Sequence, residues 1–260
     1  MPKKNQTIES TDCRNCYMKH RGCLSKGLDS AAERKFSDFL EHPPRLNRGE
    51  KLMKNTKDPN SVFLVKSGSL KRITRADKKN KSRILSFHFP GDIIGIENLY
   101  SNDTEIVSIA LEPTHVCTLL CSDLIAMANE NPELSKAIIK HLVEQLQHQD
   151  RTLKIISSTS AKQRIAGFIL TISESHKRQG INRHHLKLPM TRDDIANYTG
   201  LARATVSRAL GRLQYLDMIE LGMRSCFIKD LEGLEKIYKT GHSPSPKLIH
   251  NPLSRRPHIL

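Results

Sequence analysis

Long apolar runs are missing from this 260-residue chain: no stretch of 18 consecutive apolar residues occurs, so no segment reads as a membrane-spanning helix. The first residues, MPKKNQTIES, lack the apolar core of an export signal. A soluble, cytoplasmic protein is expected. Acidic residues are scarce, with 27 Asp and Glu against 42 Lys and Arg and a formal net charge of +15. A fold gains nothing from such self-repulsion, which points to an anionic partner. Catalytic signatures are lacking too: there is no glycine-rich phosphate loop, no nucleophile motif and no pair of acids in a plausible cleft. The chain does not read as an enzyme. Cysteine is sparse, six in all, yet Cys13, Cys16 and Cys23 crowd into CRNCYMKHRGC. In a reducing cytosol such clustered thiols hold metal or do redox chemistry more often than they pair.

The residues that are present divide into five segments. An irregular, basic, cysteine-bearing arm covers 1–29. Ser30 and Glu33 then have the spacing of a capping box ahead of AAERKFSDFL, and predict a helix from Ser30. Within 30–130, short β-branched runs separated by Ser67-Gly68 and Pro90-Gly91 predict an antiparallel roll, with Val107, Ile109 and Leu111 alternating on one face. Over 131–159, Ile139, Leu142, Leu146, Gln149, Leu153 and Ile156 recur at steps of three and four, the seam of a dimerisation helix. The same spacing also suits an amphipathic helix lying on its own domain. Gln149 would place a polar group inside the seam and weaken it.

A second capping box, Ser160 with Gln163, opens a segment over 160–238, and a basic, proline-bearing tail covers 239–260. Residues 161–260 hold 17 Lys and Arg against 8 Asp and Glu, so +9 of the net +15 lies there and double-stranded DNA is the expected partner. The stretch MTRDDIANYTGLARATVSRALGRLQ has the layout of a helix-turn-helix. Thr191 and Asp194 start its first helix, Ala196 is small where two helices meet, and Gly200 makes the turn into a second helix from about Ala202 to Gln214. Ile195, Leu201, Val206 and Leu210 are expected between the two. Arg203, Ala204, Ser207 and Arg208 would face base edges, with Arg212 nearer the backbone. MIELGMRSCFIKD reads as a wing around Gly222, its Arg224 either on phosphate or an ordinary solvated turn residue.

In this order the parts resemble the CRP/FNR family of bacterial regulators, and most closely its oxygen-responsive FNR branch, on FHFPGDIIG, MTRDDIANYTGL, VSRALGRLQ and the cysteine arrangement. The resemblance implies an α+β chain: a cyclic-nucleotide-binding-like β-roll, a long dimerisation helix and a C-terminal winged helix-turn-helix. It further implies a [4Fe-4S] cluster on Cys13, Cys16, Cys23 and the distant Cys117, a homodimer formed when the cluster is intact, palindromic operators and contact with RNA polymerase. Oxygen or nitric oxide would release the constraint. Four thiolates are also what an iron–sulfur cube requires.

Three departures from the family pattern stand out. Six residues separate Cys16 from Cys23 where the FNR pattern has five. Gly95 is separated from Glu97, and GIENLYSNDTEIVS offers no arginine for a cyclic phosphate, so no cyclic nucleotide is expected. Ala204 replaces a glutamate that accepts from cytosine, a contact worth about 1–3 kcal/mol of discrimination. Alternatives stay open at the cysteines. Cys121 is close enough in sequence to substitute for Cys117 as the fourth ligand, His20 and His115 are further candidate ligands, and zinc or thiol oxidation competes with the cluster, although a C-x2-C-x6-C run lacks zinc's usual second close pair. Cys226 reads as packing.

Overall fold

The computed structural model describes residues 13, 16–18, 22–52, 60–74, 82–100 and 106–242. The tail beyond 242, His20 and much of the arm lie outside these residues. Among those described, no helix is long and apolar enough to cross a membrane.

Helix α1 (Ser30–Phe39) starts where a capping box was expected, but with a different cap. Asp29 Oδ1 accepts from the amides of Ala31 and Ala32 at 2.9 and 2.8 Å, which makes Ser30 the first helical residue. Aspartate one residue upstream is as good a cap as serine and adds favourable charge at the helix start.

The roll is built from two three-stranded antiparallel sheets. One is ordered β4-β1-β6, with β1 (Ser61–Ser67) between β4 (Ile93–Ile94) and β6 (His115–Leu120). The other is ordered β3-β2-β5, with β2 (Leu70–Thr74) between β3 (Ile84–His88) and β5 (Ile106–Ala110). Phe63, Val65, Leu70, Ile94, Ala110 and Val116 close the space between the sheets. The alternation expected of β5 is blurred. Val107 and Leu111 are buried, Ile109 is only half-buried, and Ser108 on the other face is buried too. Both faces of this sheet are covered, because Ile84, Phe87, Phe89 and Leu111 share one core with the C-terminal helices.

After the roll, α2 (Cys121–Glu130) and α3 (Pro132–Ser157) follow with a break at Asn131. Asn131 accepts from the amides of Glu133 and Leu134, and Pro132 at the first position loses no hydrogen bond there. Only α3 was expected; α2 shows no long stripe. At 26 residues, α3 spans about 39 Å.

The C-terminal part comprises α4 (Ala161–Arg178), β7 (His185–Lys187), α5 (Arg192–Thr199), α6 (Arg203–Tyr215), β8 (Ile219–Leu221), β9 (Ser225–Ile228) and α7 (Leu231–Thr240). The expected box Ser160–Gln163 forms, and Thr191 and Asp194, expected to start α5, also close a capping box. The wing gains a third strand, giving the order β7-β9-β8.

Candidate metal centre and nucleic-acid interface

The arm is held to the roll by its own sulfur-bearing segment. The Cys13 amide donates to Ser37 Oγ of α1 at 3.3 Å, and the Tyr17 hydroxyl donates to the Lys66 carbonyl of β1. The Cys16 amide folds back on the Cys13 carbonyl at 3.1 Å, and Cys23 on Met18 at 3.3 Å. Cys13, Leu24 and the half-buried Cys23 pack in the same core as Phe36, Leu64, Cys117, Leu119 and the first turns of α3, Leu134 and Ile138. Cys117 comes from the middle of β6, opposite Leu64 of β1.

All four candidate thiols line one cavity, walled otherwise by Met18, Leu40, Leu64, Val65 and Gly91 and edged by Ser25 and Lys66. Burial pushes the Cys13 thiol up to about 11, and the neighbouring Cys23 adds to it. Cys117 is pushed up to about 12 by burial, with further rises from Cys23, Cys13 and Cys16 against the lowering effect of Lys66. Cys23 is raised for the same first reason, against hydrogen bonds from Ser25. The sulfurs are near enough to feel one another's charge. Becoming four thiolates together would require a strong positive charge among them, which iron supplies. Among the described residues, no group of three or more His, Cys, Asp or Glu side chains is placed to hold a metal ion.

The neighbouring candidates separate from this site. Cys121 is absent from the cavity lining and begins α2, buried in the roll core. His115 is exposed at the start of β6. Cys226, on β9, is buried and pushed up to about 12 by burial. Gly95 precedes a 3-10 turn, Ile96–Leu99, whose Glu97 pairs with Arg72 of β2. That arginine, absent from the 95–108 segment, reaches it across the sheet. On the other side of the arm, Cys23, Leu24 and Lys26 face Ala137, Lys140 and His141 of α3 across a cleft of about 170 Å³.

In the helix-turn-helix, Gly200 has φ 67°, a left-handed turn that costs glycine little. Ile195, Ala196, Val206 and Leu210 are buried between the helices, with Leu201 partly so. Val206, Ala209, Leu210 and Leu213 turn α6 inward, leaving Arg203, Ala204, Ser207, Arg208 and Arg212 exposed. Arg203 pairs with Asp193 at 3.2 Å on the surface, a pair worth at most about 1 kcal/mol. Arg208 donates to Thr205 at 3.3 Å, and the Arg212 guanidinium lies 5.1 Å from the Tyr215 ring centroid. Arg224 is exposed, and one guanidinium N–H donates to the Pro189 carbonyl at 2.9 Å, which fixes the side chain at the base of the wing. Met223 at the wing tip is fully exposed, which sequence patterning did not single out.

The stripe on α3 faces away from its own chain. Ile139, Leu146 and Leu153 are 60%, 62% and 65% exposed, and Leu142, Val143, Gln149 and Ile156 are exposed beside them. The buried side of α3 is carried by Leu134, Ile138 and Ile155. An amphipathic helix resting its apolar stripe on its own domain would show the opposite pattern.

Gly211, also on the exposed side of α6, was not singled out by sequence either. A Cβ there would meet nothing within 4 Å, yet glycine in a helix interior costs about 1 kcal/mol relative to alanine. A helix that presses its backbone against a phosphate chain has a use for that gap. Gly211→Ala is expected to raise the melting temperature and lower affinity for operator DNA. Higher stability with unchanged affinity would remove Gly211 from the interface.

Two domain families match the chain in sequence order: the cyclic nucleotide-binding domain over 43–131 and the Crp-like helix-turn-helix domain over 163–237. The "Anaerobic regulatory protein" of Haemophilus influenzae is 28% identical over 228 residues, 88% of each chain. The "Transcriptional activator protein FnrA" of Stutzerimonas stutzeri is 28% identical over 222 residues, 85% of this chain and 90% of its own. FixK2 from Bradyrhizobium japonicum shares the fold at a TM-score of 0.64 and 23% identity, over 75% of this chain and 95% of its own. With an N-terminal roll and an exposed helix-turn-helix in that order, the chain belongs to the CRP/FNR family of transcription regulators.

Proposed function

We propose that this regulator is an FNR-like sensor. In this reading it binds palindromic DNA as a homodimer while Cys13, Cys16, Cys23 and Cys117 hold a [4Fe-4S] cluster, and oxygen or redox state controls its occupancy of the operator. The observation that carries the reading is the convergence of three arm thiols and one strand thiol on a single apolar-walled cavity. Relatives named for anaerobic regulation and for fumarate and nitrate reduction support it. Bound there, the cluster supplies an oxygen-sensitive tie between arm and sheet.

The chain's own residues do the rest. Met18, Leu40, Leu64 and Val65 limit water at the thiols, while Lys66 offsets part of their charge. Cys13 and Leu24 share a core with Leu134 and Ile138, so order in the arm is felt in the first turns of α3. The next residue, Ile139, begins the exposed stripe. Pairing two such stripes would remove Ile139, Leu142, Leu146, Leu153 and Ile156 from water and centre Gln149 as a weakening polar group. Two recognition helices then meet successive major grooves about 34 Å apart. A coupling of about 1–3 kcal/mol between arm and dimer changes occupancy about 5–150-fold. RNA polymerase is the further partner expected, in the cytoplasm. Zinc or thiol oxidation at the same cysteines is the competing outcome.

Protein kept without oxygen should contain about four iron and four acid-labile sulfide per chain and be brown. Colourless anaerobic protein holding one zinc would transfer the site to the competing reading. For α3, Leu146→Glu should shift the protein to monomer in sedimentation, and Gln149→Leu should tighten the dimer. An unchanged association constant in both variants would mean that another face pairs.

A further inference from the structure

Helix α5, the first helix of the helix-turn-helix, is fastened by three same-face residues, Asp194, Asn197 and Tyr198, at i, i+3 and i+4. Each reaches a different element. Asp194 Oδ1 accepts from Lys71 Nζ of β2 at 2.5 Å, a largely buried pair. Burial alone would raise this carboxyl, but the Lys71 bond and the Thr191 cap hold it below its ordinary value. The Tyr198 hydroxyl lies 2.9 Å from Thr152 Oγ1 of α3, and its ring packs on Phe87 of the roll, 5.2 Å between centroids.

Asn197 makes the most specific contact. Its Oδ1 accepts from the Ile84 amide at 2.7 Å and its Nδ2 donates to the Ser82 carbonyl at 2.9 Å. β3 is an edge strand, so Ser82 and Ile84 present backbone groups that no neighbouring strand takes, while Arg83 between them faces β2 through Thr74. The asparagine amide has the donor–acceptor pair of a peptide group and closes that edge as another strand would. Nothing about contact with DNA requires these bonds, because they point away from the exposed face of α6.

We infer that Asp194, Asn197 and Tyr198 are positioning residues through which the roll and α3 set the angle of the recognition helix, and with it the half-site spacing the dimer accepts. The inference rests on the proposed dimer binding a palindrome. Because α5 and α6 share one core and are joined through the turn at Gly200, freeing α5 would let each recognition helix swing without altering its own reading surface.

The test uses full-length protein purified without oxygen and three duplexes: a palindrome of preferred spacing, the same palindrome lengthened by two base pairs, and a single half-site. Wild type should favour the first strongly. Asn197→Leu should reduce its preference over the lengthened site about tenfold, as loss of two net hydrogen bonds allows, while half-site affinity stays unchanged. Asn197→Asp keeps the acceptor and loses the donor, so it should fall between. It also decides the matter if the leucine variant does not fold. Full spacing preference in a folded Asn197 variant, or equal loss on the half-site, overturns the inference. A wild-type protein indifferent to the palindrome overturns the dimeric reading, and this inference with it.

Discussion

Cys117 is fixed in the middle of a buried strand, and that constraint organises the N-terminal half of the molecule. A thiol in β6 cannot move toward the arm, so the arm must come to it, bringing Cys13, Cys16 and Cys23 into a cavity walled by β1 and by Leu40 at the end of α1. Four sulfurs gathered away from water are an awkward arrangement for a protein on its own. Burial and mutual repulsion oppose the ionisation of Cys13, Cys23 and Cys117. In the proposed reading a cluster would offset this cost; without it the arm would keep the Cys13–Ser37 and Tyr17–Lys66 hydrogen bonds and the packing of Met18 and Leu24. The physical coupling is short: the arm's apolar residues and the first turns of α3 belong to one core.

The long helix carries the second imbalance. A single chain leaves Ile139, Leu142, Leu146, Leu153 and Ile156 in water along one line, the surface that the proposed dimer would cover. Gln149 lies on the same line and subtracts from the gain. A dimer that is only marginally favourable suits a switch better than a tight one, because a coupling of a few kcal/mol can then decide its population.

The helix-turn-helix was legible because its signals are local. A capping box, a left-handed glycine and small and large apolar residues at fixed steps lie within one short stretch, and the structure places them as read. The exposed stripe of α3 was legible by period, while its outward orientation required the fold. What escaped notice depends on distance in sequence. α1 took its cap from Asp29, since several adjacent polar residues were equally suited. β7 is too short to have a pattern, and it exists because β9 offers an edge. Arg72 reaches Glu97 from another strand, Arg224 turns inward to a carbonyl, and Asn197 finds β3 more than a hundred residues away in the chain. The clean alternation expected of β5 failed because the roll is covered on both faces, one of them by the DNA-reading part itself.

Sedimentation of a single anaerobic sample, before and after exposure to air and alongside a variant with all four cysteines changed to serine, shows whether the thiols govern association. The account predicts dimer before air, monomer after it, and monomer for the serine variant under both conditions. A serine variant that sediments as a dimer with and without air would contradict the claim that these thiols govern association.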